Sequence, residues 1–140
     1  MNAASRFVQG SSEWFDMVGT LVCRAVKRAG YPFPGNWTLI ERYSDGARLP
    51  NGLIQGIRFD LRAGAAAYRV GVAPEEKGDA TIEVTSAAAR TLNLLYSHDP
   101  RFETNMKHAL ESGAITVEGD LSPIAEALAQ SHNDIVDRTC

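Results

Sequence analysis

The stretch "WTLIERY" (residues 37–43) marks the point where the apolar period of the chain changes from helical to alternating. Read as a strand, it puts Trp37, Leu39, Glu41 and Tyr43 on one face. Before it, Trp14, Val18, Leu21, Val22, Ala25 and Ala29 repeat at helical spacing. Ser11 or Ser12 can cap the start, Glu13 and Asp16 suit the positive end of the dipole, and Arg24, Lys27 and Arg28 suit the negative end. Gly30 and Pro32 stop this helix, and "YPFPGN" (31–36) is a helix-incompatible connection.

After it come "LIQGIRFDL" (53–61), "AAYRVGV" (66–72) and "ATIEVT" (80–85), separated by the turn-forming stretches "SDGARLPNG", "RAGA" and "APEEKGD". With such short loops, consecutive antiparallel pairing is expected, with one face covered and one wet. The last third turns helical. Ser86 is the expected cap of a segment carrying Ala88, Leu92, Leu95 and Tyr96, and Asp99-Pro100 starts a second helix that Gly113 ends. "AITVEG" (114–119) is a fifth strand. Ser122-Pro123 opens a final helix with Leu121, Ile124, Leu128, His132 and Ile135 in its apolar stripe. The order α-β-β-β-β-α-α-β-α describes an α+β domain spanning 1–140, with a five-stranded, mainly antiparallel sheet, helices on one face and a loose lead-in over 1–10.

The composition, 44% apolar and 22% charged, is that of an ordinary globule. A net charge of −3 with scattered basic residues gives no grip for nucleic acid. No stretch reaches the length of a membrane span, no secretory leader is read at the start, and Cys23 and Cys140 read as free thiols, so a cytoplasmic protein is expected. No phosphate-binding glycine loop, zinc-type Cys/His spacing or nucleophile elbow occurs, so neither cofactor nor metal is expected. Gly46, Gly52 and Gly56 read as hairpin and bulge positions.

Four titratable residues are candidates for acid/base chemistry. His132 interrupts an apolar stripe, where it can line a cavity or satisfy itself in the core. His98 precedes Asp99, whose place before Pro100 is that of a helix cap. Asp60 and Glu41 lie on the alternating strands. His108 falls off the apolar face of its helix, and Asp120 is explained by the helix start that follows it.

The stretch "GDATIEVTSAAARTLNLL…DPRFETNMKHALESGAITVEGDLSPIAEAL" resembles the sterol carrier protein type 2 domain, a nonspecific lipid-transfer family. The likeness lies in the order of Asp79–Val84, Asp99-Pro100, Gly113–Val117 and Gly119-Asp120, and it covers roughly residues 50 to 130; Gly113-Ala114 stands where the family usually has Gly-Lys. The resemblance implies a hydrophobic tunnel between sheet and helices, holding a fatty acyl chain, acyl-CoA or sterol; an isoprenoid is a further ligand expected of such a cavity. It implies a lining of Phe59, Tyr68, Phe102, Met106, Leu110, Ile124 and Leu128, with His132 on the same last helix. The expected function is that of a carrier of a hydrophobic small molecule, without stable membrane insertion. Two other readings stand beside it: an isomerase, hydratase or cyclase using His132, His98, Asp60 or Glu41, and an interaction domain that pairs with a helix or with a second copy as a homodimer.

Overall fold

The computed structural model describes residues 5–30 and 35–140, so most of the "YPFPGN" connection lies outside the described residues. The elements are α1 (Ser12–Ala29), β1 (Trp37–Tyr43), β2 (Ile54–Arg62), β3 (Ala65–Val72), β4 (Ala80–Val84), α2 (Ser86–Asn93), α3 (Pro100–Ser112), β5 (Ile115–Glu118) and α4 (Ser122–Asp137). The chain has the α+β architecture expected from its periodicity, with five strands in the order β3-β2-β1-β4-β5.

That order corrects one expectation. β1–β2, β2–β3 and β4–β5 are antiparallel, but β4 leaves β3 and pairs parallel with β1. To do so the chain must travel three strand spacings sideways and about four residues back along the sheet, a diagonal of roughly 20 Å. Residues 73–79 are long enough to cover it when nearly extended. They cross the face away from the helices, and Glu76 fastens them there. Its carboxylate pairs with Arg58 (2.9 Å) and Arg69, and its carbonyl accepts a hydrogen bond from Arg42 Nη1 at 2.7 Å. This face is therefore not simply wet: Ile40 and Arg42 are buried on it. At the far end of the crossing, the Asp79 carboxylate accepts from the Thr38 N–H at 2.8 Å.

Local chemistry sets the ends of the helices. Ser11 caps α1 by accepting the Trp14 N–H, and Asp99 caps α3 by accepting the Arg101 N–H. Hydrogen bonds from Arg101 hold the Asp99 carboxyl down at about 2. Gly113 closes α3 in the left-handed conformation at φ 80°. Two caps differ from expectation. Thr85, not Ser86, caps α2, which ends at Asn93 and leaves Leu95 and Tyr96 in the following turn. Leu121 is the first flanking residue of α4, and the Asp120 carboxylate serves Ser122 through its N–H and hydroxyl at 2.9 Å each. Residues 7–9 are not loose either. Phe7 bridges to Thr139, and its N–H donates to the Arg138 carbonyl at 2.8 Å. Trp14 Nε1 donates to Thr139 Oγ1 at 2.9 Å, tying α1 to the same end of the chain.

On the helix side, α1 lies over β2 and β3 and packs against α4, while α3 packs against β5 and α2. The central strands β1 and β4 thus run beneath the seam between two groups of helices. The approach of α1 to β3 is set by Gly19: a Cβ there would stand 2.4 Å from the Tyr68 ring. Gly19→Ala is expected to destabilise the protein by about 1–3 kcal/mol in urea unfolding, despite the better helix propensity of alanine. The loss should shrink in a Tyr68→Ala background; an undiminished loss there would place its cause elsewhere.

Candidate ligand site beneath the helices

Glu41 lies midway along β1 on the helix-facing side. Its neighbours in the sheet are Ile57 of β2 and Ile82 of β4, and along its own strand Leu39 and Tyr43. All four are buried, at 0%, 8%, 0% and 3% exposure respectively. Glu41 itself is only half-buried. A side chain ringed by buried neighbours keeps exposed surface only where the cover above it is incomplete, so the helices do not close fully over this point. Protein nevertheless surrounds the carboxyl closely enough that burial pushes it from an ordinary 4.5 up to about 6. Among the described residues it has no hydrogen-bonding or ion-pairing partner.

The same sheet row continues through Ile82 to Val117 on β5. Exposure rises along it, from 8% at Ile82 to 42% at Val117, so cover thins toward the β5 edge. Half-buried apolar side chains of α3 and α4 and of the turn before α4 pack against the core: Phe102, Met106, Leu121 and Leu128. Tyr43, beside Glu41, has its phenol pKa raised, first by burial and then by the Glu41 charge, while the Gln9 amide donates to its oxygen and opposes the shift.

The residues anticipated as tunnel lining fall into separate groups. Phe59 and Ile124 are fully buried in the core. Tyr68 is half-buried under α1, with its hydroxyl donating to Asp16 at 3.2 Å, and serves to seat that helix. Phe102 and His132 meet between α3 and α4, ring centroids 4.6 Å apart, with Met106 and Leu128 half-buried on the same two helices. Leu110 is 50% exposed. The buried face of α4 is also rotated from the expected stripe. It runs through Ile124, Ala127, Ser131 and Ile135, and Leu128 and His132 flank it.

The four acid/base candidates do not converge. His98 is exposed and stacks on Tyr96 at 5.5 Å. His132 is half-buried, and its Nε2 lies 2.8 Å from the Leu95 carbonyl. Asp60 sits on the opposite face of the sheet from Glu41, where Arg58 and Thr38 hydrogen-bond its carboxylate and lower its pKa. Among the described residues, no group of three or more His, Cys, Asp or Glu stands close enough to hold a metal ion. A separate groove of about 330 Å³ opens beside α1 and is lined by Phe7, Glu13, Asp16, Met17, Arg24 and Arg138 among others. Its charges of both signs suit water better than an apolar molecule. Glu41 is the feature that periodicity exposed without explaining: the alternation placed it on an apolar face, but its burial follows from which strands flank β1.

No family model matches the chain, and no curated protein matches it in sequence. Similar solved structures include a crystal structure of sterol carrier protein 2, at 18% identity and a TM-score of 0.49, covering 90% of this chain and 95% of that one. A solution structure of the sterol carrier protein domain 2 of Helicoverpa armigera aligns at 15% identity and a TM-score of 0.45, covering 96% and 97% of the two chains. A stereoselective inverting sec-alkylsulfatase from Pseudomonas sp. aligns at 19% identity and a TM-score of 0.46 over 87% of this chain, which spans only 16% of that enzyme. No helix among the described residues is long and apolar enough to cross a membrane.

The raised Glu41 value has a thermodynamic consequence. Between 4.5 and about 6 the folded chain holds more of this proton than the unfolded chain, so stability falls as pH rises through that window and levels off above it. Glu41→Gln removes the effect. The variant should match the wild type near pH 4 and exceed it by about 2 kcal/mol at pH 8 in urea unfolding. A difference that does not vary with pH would show that the carboxyl is well solvated.

Proposed function

We propose that the protein is a carrier that encloses an apolar small molecule between the sheet and the helices, above the row Glu41–Ile82–Val117. The observation that carries this reading is the incomplete cover of Glu41, half-buried at the centre of a sheet face whose other central residues are buried. The space is bordered by apolar strand residues, and half-buried Phe102, Met106, Leu121 and Leu128 pack on the same core. Binding would place apolar ligand surface against side chains that are already partly withdrawn from water. Each Å² so covered contributes about 25 cal/mol. The thin cover over Val117 makes the β5 edge the expected entrance. The resemblance seen in residues 50–130 leads to the same class of ligand, lipid, sterol or isoprenoid, by an independent route.

Purified protein should release an apolar compound on organic extraction, or take up a fluorescent apolar probe that such compounds displace. Ile82→Trp, which fills the space from the sheet side, should weaken the probe roughly tenfold, equivalent to about 1.4 kcal/mol. Leu94→Ala, at a 43% exposed position, should leave it unchanged. Probe binding that ignores Ile82→Trp, or no binding of any apolar compound, would refute the carrier reading.

A further inference from the structure

We propose that the molecule carried beneath the helices ends in a hydrogen-bond donor, a hydroxyl or an amine, which the carboxylate of Glu41 receives, and that molecules ending in a carboxylate or phosphate are rejected there. This inference rests on the carrier reading above and specifies the polar end of the ligand.

An ionised carboxylate is an acceptor only. Glu41 lacks a protein donor among the described residues, and the side chains around it are Leu39, Tyr43, Ile57 and Ile82. Of these only Tyr43 is polar; its oxygen receives the Gln9 amide, and its hydroxyl makes no hydrogen bond to Glu41. The acceptor capacity of Glu41 is therefore left for something that enters the space. Placed where protein excludes much of the water, a charge-assisted hydrogen bond to an entering O–H or N–H contributes more than the same bond at the surface.

None of the described cations forms an ion pair with Glu41. Arg42, Arg58 and Arg69 belong to the opposite face of the sheet, committed to Glu76, Asp60 and Glu83. Those of the helices, Arg24, Lys27, Arg28, Arg90, Arg101 and Lys107, are exposed, as are Arg6, Arg48, Arg62 and Lys77, and half-buried Arg138 lines the separate groove beside α1. A ligand carboxylate pushed toward Glu41 would meet a like charge without a compensating cation, and one of the two would have to take up a proton. The site thus discriminates by what it lacks as well as by what it presents.

The test uses three ligands that share one alkyl chain: dodecanol, dodecylamine and dodecanoate, compared near pH 8 by displacement of a fluorescent apolar probe from the full chain. In the wild type, the alcohol and the amine should bind roughly tenfold or more tightly than the acid. In Glu41→Gln, the amine should lose roughly tenfold and the acid should gain, closing the gap. The wild-type order alone decides the matter if the variant folds poorly. Equal binding of all three by the wild type, or an order that Glu41→Gln leaves unchanged, overturns the inference while the carrier reading stands. Binding of none of the three overturns both.

Discussion

The parallel pairing of β1 with β4 is the constraint on which the rest of the structure depends. It moves β1 from the edge, where two successive hairpins would leave it, to the middle of a five-stranded sheet. Glu41 is then flanked by Ile57 on one side and Ile82 on the other. Without that pairing, Glu41 would lie on an edge strand with water beside it, and an acid at that position would need no explanation. The same pairing forces residues 73–79 into a long diagonal across the back of the sheet. The ion pairs of Arg58 and Arg69 with Glu76, and the bond from Arg42 to the Glu76 backbone, are what the crossing requires. The two faces of the sheet have therefore divided their tasks: charge on one holds the connection, and apolar surface on the other receives the helices.

The helices do not finish covering that second face. α1 is drawn down on β3 by the glycine at position 19 and tied to the chain end through Trp14 and Thr139, while α3 follows β5. Each helix group is anchored at one side of the sheet, and the seam falls over the centre. A half-buried acid with no protein partner among the described residues lowers stability. A carboxylate kept at the centre of an otherwise apolar face, under incomplete cover, is the kind of local conflict that marks a binding site.

Much of the fold was legible in the sequence. The alternation of strands, the Gly56 bulge, the Asp99-Pro100 cap and the glycine ends of α1 and α3 all follow from local chemistry, and the register irregularity between Ile54 and Ile57 falls at that glycine. The partner of β4 was not legible, because periodicity tells which face a residue occupies and says nothing of which strand lies beside it. The rotation of α4 escaped for a related reason: Ala127 is small and Ser131 polar, yet both occupy the buried face of the helix, and Leu128 and His132 are displaced to its flank. At the site, the alternation exposed Glu41 as an anomaly on an apolar face. Its significance appeared only with the exposures of its four neighbours, which tertiary structure alone supplies.

The central claim is that a ligand lies over the middle of the sheet, not on the outside of the helices. Isotope-edited NMR of the protein bound to labelled dodecanol measures this directly, through nuclear Overhauser contacts between ligand and side-chain methyl groups. Contacts between the alcohol end and the methyl groups of Ile82 are predicted, with the distal carbons nearer Val117 at the β5 edge. Contacts confined to Leu94 and Leu110 on the surface, or to Met17 in the groove beside α1, would contradict it.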